Sequence, residues 1–254
     1  MSQIPIKTSA EIEKMRASGR AAATILARLS GLVQPGFTTG EIDAKAAEWM
    51  AELGCRSAFL GYRNFPGQTC LSVNEEVVHG IGGSRRLEYG DIIKIDVGVV
   101  LNGWIGDTAT TVFCGVVNPE TERLCLATKK ILDSAIPYAV AGRRLGDLSH
   151  HIESEALREG FSVVREFVGH GVGRRLHEEP QIPNYGRRGS GPKLKPGMTL
   201  AIEPMINLGE EGVRILEDGW TVVTSDGKPS AHFEHTVLIT ENEPEVLTCL
   251  PTLV

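Results

Sequence analysis

The segment Phe167-Val168-Gly169-His170-Gly171-Val172-Gly173-Arg174-Arg175-Leu176-His177 sets two imidazoles seven positions apart, among glycines that disfavour a helix interior. Imidazole coordinates metals and moves protons, and glycine lets a backbone approach a ligand closely. Four carboxylates supply complementary chemistry: Asp96, Asp107, Glu203 and Glu234. Asp96 lies in Ile93-Lys94-Ile95-Asp96-Val97-Gly98-Val99, and Glu203 in Leu200-Ala201-Ile202-Glu203-Pro204-Met205-Ile206. A carboxylate buried in such runs is costly unless it is paired or binds a cation. Lys94 is the basic residue near Asp96, and it shares the Asp96 face of a strand. Four converging carboxylates repel one another, and one divalent ion does not neutralise them, whereas two do. With His170 they form an oxygen-rich set that favours Mn, Fe(II), Co or Zn over a thiolate zinc site. Two such ions, about 3.5–4 Å apart, activate a water and polarise a carbonyl.

The elements that must position these groups repeat. Leu87-Glu88-Tyr89-Gly90 leads through Ile95 to Asp96, and Leu194-Lys195-Pro196-Gly197 leads at the same spacing through Ile202 to Glu203. Val77-Val78-His79-Gly80-Ile81-Gly82 matches Val168-Gly169-His170-Gly171-Val172-Gly173, and Gly36, Gly40 and Gly54 match Gly142, Gly146 and Gly160. Asp107 and Glu234 each lead into a Val-rich strand. The implication is an α+β fold with a pseudo-two-fold repeat, its halves about residues 8–117 and 118–245 of one catalytic domain, 1–254. Its strands pool in one curved sheet, since half-sheets leave edges open, and two pairs of helices cover it.

Capping boxes at Thr8-Ser9-Ala10-Glu11 and Thr38-Thr39-Gly40-Glu41 open the first two helices. Pro35-Gly36 ends the first; the second buries Ile42, Ala46, Trp49 and Leu53 and stops at Gly54. Asn118-Pro119 opens a third helix, to about Ala141, and Gly146-Asp147 a fourth, to Gly160. Strands are expected over 71–78 (broken at Asn74-Glu75-Glu76), 92–101, 108–114, 162–168, 199–206, 219–224 and 233–240. Residues 185–197 read as a basic, mobile Gly/Pro-rich loop. His150 and His151 read as surface residues, while His232 either supports Glu234, whose strand face it shares, or meets solvent.

Composition narrows the function. A net charge of −6 argues against a dedicated nucleic-acid binder. Cys55, Cys70, Cys114, Cys125 and Cys249 are scattered and form no C-x-x-C, which suits a reducing cytoplasm rather than a disulfide framework or structural zinc. The N-terminus has no signal-peptide pattern, and no run approaches the roughly 20 apolar residues of a membrane span.

Phe167-x-Gly169-His170-Gly171-Val172-Gly173-x-x-x-His177, followed by Ile182-x-Asn184-Tyr185, resembles the signature of the type I methionine aminopeptidases of the antiparallel pita-bread fold, and the likeness runs along essentially the whole chain. The resemblance implies an enzyme that removes the initiator Met from nascent chains at the ribosome when the second residue is small; a cytoplasmic monomer with no DNA or membrane partner is the default expectation. This chain itself begins Met1-Ser2. By the resemblance, Asp96 chelates one metal, Asp107 and Glu234 bridge both, and His170 and Glu203 complete the second. Glu203 is then the general base, His177 binds the scissile carbonyl or the tetrahedral intermediate, and His79 contacts the substrate nitrogen or assists proton transfer. Phe59, Tyr62, Phe65, Cys70, Leu176 and Trp220 fall at Met-pocket positions. Phe59 stands where a cysteine is frequent, Phe65 where a tyrosine is, and Leu176 where a phenylalanine is, so pocket shape departs from the best-known pattern. Asn74 and Ser230 match positions that help hold a monovalent cation. X-Pro peptidases share the fold but carry a large N-terminal domain, for which a helix starting near residue 9 leaves no room. A type II enzyme needs a helical insertion between His170 and Glu234, where only loops and strands are expected. Binding proteins on this fold have lost the ligands, and here all five positions are filled.

Overall fold

The structure, a computed structural model, describes residues 3–250. Four long helices form: α1 (Ser9–Ser30), α2 (Thr39–Glu52), α3 (Pro119–Ala135) and α4 (Leu145–Arg158). Both expected capping boxes close. The Thr8 and Thr38 amides donate to Glu11 and Glu41 at 3.0 and 2.7 Å, which satisfies donors that a helix start otherwise leaves unpaired. Helix α3 stops six residues before the expected end. Pro137 follows within a 3-10 turn, Ile136–Tyr138, and proline disfavours helical backbone in the residue before it.

The main sheet has nine strands among the described residues, all paired antiparallel. Its path runs Arg56–Ser57, Ile92–Leu101, Trp104–Phe113, Glu234–Leu238, Thr199–Ile202, Gly169–Gly171, Glu178–Ile182; Cys70–Val73 also pairs Ile92–Leu101, and Glu245–Val246 pairs Glu234–Leu238. Strands from both sequence halves therefore share it. The strand expected from 108 begins at Trp104, because Asn102 and Gly103, with φ of 53° and 78°, close a two-residue hairpin that needs left-handed backbone. The run expected over 199–206 divides at Glu203-Pro204 into Thr199–Ile202 and Met205–Asn207, since Pro204 has no N–H for a ladder. Only Ser162–Val163 and Val222–Thr224 form from 162–168 and 219–224; Gly219, at φ 77°, belongs to a turn.

Helices α1 and α2 cover one half of the sheet through Ile25, Leu29, Ile42 and Met50 against Ile95 and Val97. Met50 is buried where Trp49 and Leu53 were expected; those two are only partly covered. Helices α3 and α4 cover the other half through Ile131, Leu148 and Ile152 against Leu200 and Val237. Full burial of such an aliphatic side chain contributes about 1.5–3 kcal/mol. The repeat extends to individual hydrogen bonds. Gly36 N–H donates to Leu87 O (2.8 Å) and Gly142 N–H to Leu194 O (3.0 Å); Gly40 N–H donates to Gly83 O (2.8 Å) and Gly146 N–H to Ser190 O (3.0 Å).

Candidate active site

Register brings the acids together. Asp96 opposes Ala109 and Gly98 opposes Asp107, so the two carboxylates are diagonal neighbours on one face of the hairpin. Glu234 also opposes Ala109, from the other side. His235 opposes Ile202, which brings Glu203, the next residue, beside Glu234, and His170 opposes Ala201. Hydroxyls hold this register: Thr108 Oγ1 donates to Glu234 O (2.9 Å) and Thr236 Oγ1 to Asp107 O (2.8 Å). At the strand carrying His170, the glycines are a steric requirement. A side chain at Gly171 meets the Glu179 carbonyl, and one at Gly169 meets the Ala201 carbonyl, inside van der Waals distance.

Ligand atoms of Asp107, His170 and Glu234 lie within 4.8 Å of one another. His170 Nε2 is 3.8 Å from Asp107 Oδ2 and 3.5 Å from Glu203 Oε1. Asp96 Oδ1, Asp107 Oδ1 and Glu234 Oε1 are buried without a hydrogen-bond partner, which is expensive unless something charged binds them. Burial pushes Asp107 up to about 7. Burial and then neighbouring carboxylates raise Asp96, Glu203 and Glu234. Burial, then His177, holds His170 down to about 3, hence neutral and able to ligate. Oxygen-rich, anionic and orphaned, this set fits divalent cations.

Lys94 does not answer the acids. Its ammonium reaches the turn at Asn74 and donates to that carbonyl at 2.7 Å. Burial lowers it to about 7, against the attraction of Glu76. Ser230 N–H meets the same carbonyl at 3.1 Å, so Asn74 and Ser230 do come together, with Lys94 beside them.

Every other predicted residue lines one pocket of about 570 Å³ above the acids: Phe59, Tyr62, Phe65, Cys70, His79, Leu176, His177 and Trp220. Trp220 meets Phe65 edge-on at 5.1 Å, and His79 packs against Phe167 (5.4 Å) and Trp220 (6.1 Å). His79 is left-handed at φ 62°, a cost that packing must sustain. In this the repeat breaks, for its counterpart His170 sits in a strand. Burial, then His177, lowers His79 to about 4. His177 stands at the rim. Its Nδ1 is 2.7 Å from the Tyr62 hydroxyl, so Tyr62 has a polar task beyond its expected apolar one. His232 is 1% exposed and turns to Glu203, with Nε2 at 3.5 Å from Oε2, which decides between the two readings of that residue against solvent. His150 and His151 are half-buried rather than surface residues; His150 bonds Gly186 O (3.2 Å) and His151 bonds Ser134 Oγ (2.9 Å).

Arg63, Phe167 and Met205 also line the pocket and were not foreseen. Phe167 opens the motif quoted for its histidines. Met205 follows Glu203-Pro204, and only the break of the strand there turns it inward.

The comparisons agree with this geometry. The model of metallopeptidase family M24 matches residues 13–241. Methionine aminopeptidase 1 of Bacillus subtilis is 49% identical over 242 residues, 95% of this chain and 98% of that protein. The methionine aminopeptidase of Clostridium perfringens is 47% identical over 97% of this chain and 99% of its own. The crystal structure of the Thermotoga maritima methionine aminopeptidase superposes with a TM-score of 0.96 at 47% identity, covering 97% of this chain and 99% of that one. The Pyrococcus furiosus prolidase gives 0.80 at 25% identity, and this chain spans 66% of it. The α+β pita-bread fold is thus common to all, and the chain belongs to metallopeptidase family M24.

Proposed function

We propose that this metal-dependent aminopeptidase removes N-terminal methionine from nascent chains in the cytoplasm, at the ribosome, when the second residue is small. The observation that carries the reading is the orphaned carboxylate set with His170 at the base of an aromatic pocket. Asp96, Asp107, His170, Glu203 and Glu234 would hold two divalent ions. Bound there, such ions would supply Lewis acidity to a water and to the scissile carbonyl. Glu203 accepts the proton of the attacking water and returns it to the leaving amine. His177 donates a hydrogen bond to the carbonyl oxygen as negative charge grows on it. His79 holds the substrate nitrogen. Phe59, Phe65, Cys70, Leu176 and Trp220 take the thioether side chain, which packs well on aromatic faces. The protein works as a monomer and a single catalytic unit. The reading also includes a monovalent cation near Asn74 and Ser230, beside the Lys94 ammonium at the Asn74 carbonyl.

The test is Met release from Met-Ala-Ser, Met-Lys-Ser and Ala-Pro peptides after chelation, with Mn, Co, Fe(II) or Zn restored singly. Release from Met-Ala-Ser alone is the expected result, and it ranks the usable ions. Cleavage of Ala-Pro in its place moves the chain to the proline-peptidase branch of the family.

A further inference from the structure

His177 sits on neither a helix nor a strand. Residues 172–177 form a turn between the Gly169–Gly171 and Glu178–Ile182 strands, and a turn has no ladder of hydrogen bonds to hold a side chain still. Two backbone bonds tie its start: Ile105 N–H donates to Gly173 O (2.9 Å) and Gly173 N–H to Arg175 O (3.2 Å). A carboxylate holds the rest. Glu178 folds back over the turn, and its Oε1 accepts from the Arg174 and Arg175 amides at 3.0 and 3.2 Å. Its Oε2 accepts from the Lys7 ammonium at 2.7 Å, and the two side chains are only 4% and 5% exposed.

Lys7 comes from 171 positions away, on backbone that is itself fixed. Its N–H donates to Gly197 O (2.8 Å), and Gly197 N–H donates to Ile239 O (3.0 Å). The next residue, Thr8, caps α1. Gly173 makes room for the pair, since a Cβ there would lie 2.7 Å from Glu178 Oε1 and 2.8 Å from Lys7 Cε. Arg174 does not compete for the carboxylate: its guanidinium lies over Trp104 (4.5 Å) and 3.7 Å from Glu11.

A buried ion pair is a weak source of stability, because desolvation offsets much of the attraction, and a packed apolar pair serves a fold as well. An apolar pair cannot accept two amides. The Lys7–Glu178 pair therefore does for the turn what packing alone cannot. The turn is bonded at Arg174 and Arg175 on one side of His177 and at Glu178 on the other, with the His177 ring 4.2 Å from that of His170.

We propose, resting on the carbonyl-donor role given to His177 above, that Lys7 and Glu178 are positioning residues: their ion pair fixes the turn that aims His177 at the scissile carbonyl. The segment before α1 is then part of the frame of the active site.

The experiment records the ring resonances of the 15N-histidine-labelled chain with Zn, which is diamagnetic, and kcat on Met-Ala-Ser, for Lys7→Met and for Lys7→Met/Glu178→Leu. Loss of one signal in His177→Ala identifies its resonance. In Lys7→Met the His177 signal is expected to shift or broaden, and kcat to fall about 10- to 100-fold, the cost of a small misplacement near the reacting atoms. In a His177→Ala background Lys7→Met is expected to cause no further loss. The double variant removes the stranded Glu178 charge, so its Tm returns toward that of the unaltered chain, whereas kcat and the His177 signal do not. Arg16→Met, which breaks another ion pair of α1, to Glu245 at 2.6 Å, leaves both unchanged. Recovery of kcat together with Tm in the double variant, or an equal change in Arg16→Met, overturns the proposal. Full Met release by His177→Ala overturns the role given to that imidazole above; an unmoved His177 signal in Lys7→Met overturns the positioning role of Lys7 and Glu178, whichever way the first turns out.

Discussion

Asp107 and Glu234 carry two kinds of cost at once: each is buried to 3% exposure or less, and each leaves an oxygen without a partner. A cation at the same point relieves both while the carboxylates stay ionised. Asp107→Asn and Glu234→Gln are therefore expected to lose metal and activity together, by more than the roughly 10–100-fold that an outer partner costs. Metal content is read by atomic emission, and full activity in either variant removes the two-metal reading. His177 differs, standing at the rim with an aromatic hydroxyl on its Nδ1. His177→Ala should lower kcat by about 10²–10³, the usual cost of an oxyanion donor, with metal content unchanged. Tyr62 acts through it. A phenol donating to Nδ1 leaves the proton on Nε2, the nitrogen free to donate. Tyr62→Phe keeps the ring, so KM for a Met peptide holds while kcat drops about tenfold, the worth of one good hydrogen bond. In a His177→Ala background the same change is expected to have no effect, and an undiminished loss there would show that Tyr62 works by another route.

At the scale of elements, the short strand Gly169–Gly171 places His170 between the Glu178–Ile182 and Thr199–Ile202 strands. The Glu179 carbonyl lies where a Gly171 side chain belongs. Gly171→Ala should cost about 1–3 kcal/mol, typical of overpacking, and should weaken metal binding through displacement of His170. A melting curve and a metal titration measure the two effects. Unchanged values for both would mean that the strand tolerates a shift that the close approach says it does not. The hairpin Asn102-Gly103 shows how element boundaries go unread. The dipeptide is a strong turn signal, and once the turn is placed there, the second strand must begin at Trp104.

The whole molecule converts burial into a pH dependence. Asp107 titrates at about 7 when folded and without metal, against an ordinary value of 3.8. Because that pKa is raised, its contribution to stability is complete below about 3.8 and is lost as pH rises through 7. Divalent ions substitute for the missing protons. His170, at about 3, does not compete for protons above pH 5. The rise in Tm on adding ions should therefore grow from about pH 5 to 7, and binding should release protons, detectable as a dependence of calorimetric heat on buffer ionisation. A pH-independent metal effect would mean that the acids are ionised before metal arrives.

Much of this protein is written along its chain. The spacing of acids and histidines, the two capping boxes and the glycines repeated 106 positions apart are local signals, and each local signal reports a backbone need or a burial cost that any fold must meet. Asp96, Asp107, His170, Glu203 and Glu234 all line one pocket, which strand periodicity and equal spacing in the halves favour. Tertiary structure alone decided the rest. Lys94 turns to the Asn74 carbonyl and not to Asp96, although the two share a strand face, since a reach of several bonds is settled by what lies across the sheet. Tyr62 bonds His177 across 115 positions, and His232 finds Glu203. The basic loop meets α4 because the second half of the repeat folds like the first. Such contacts join residues whose nearness depends on register and crossing between distant elements, and no local propensity encodes that.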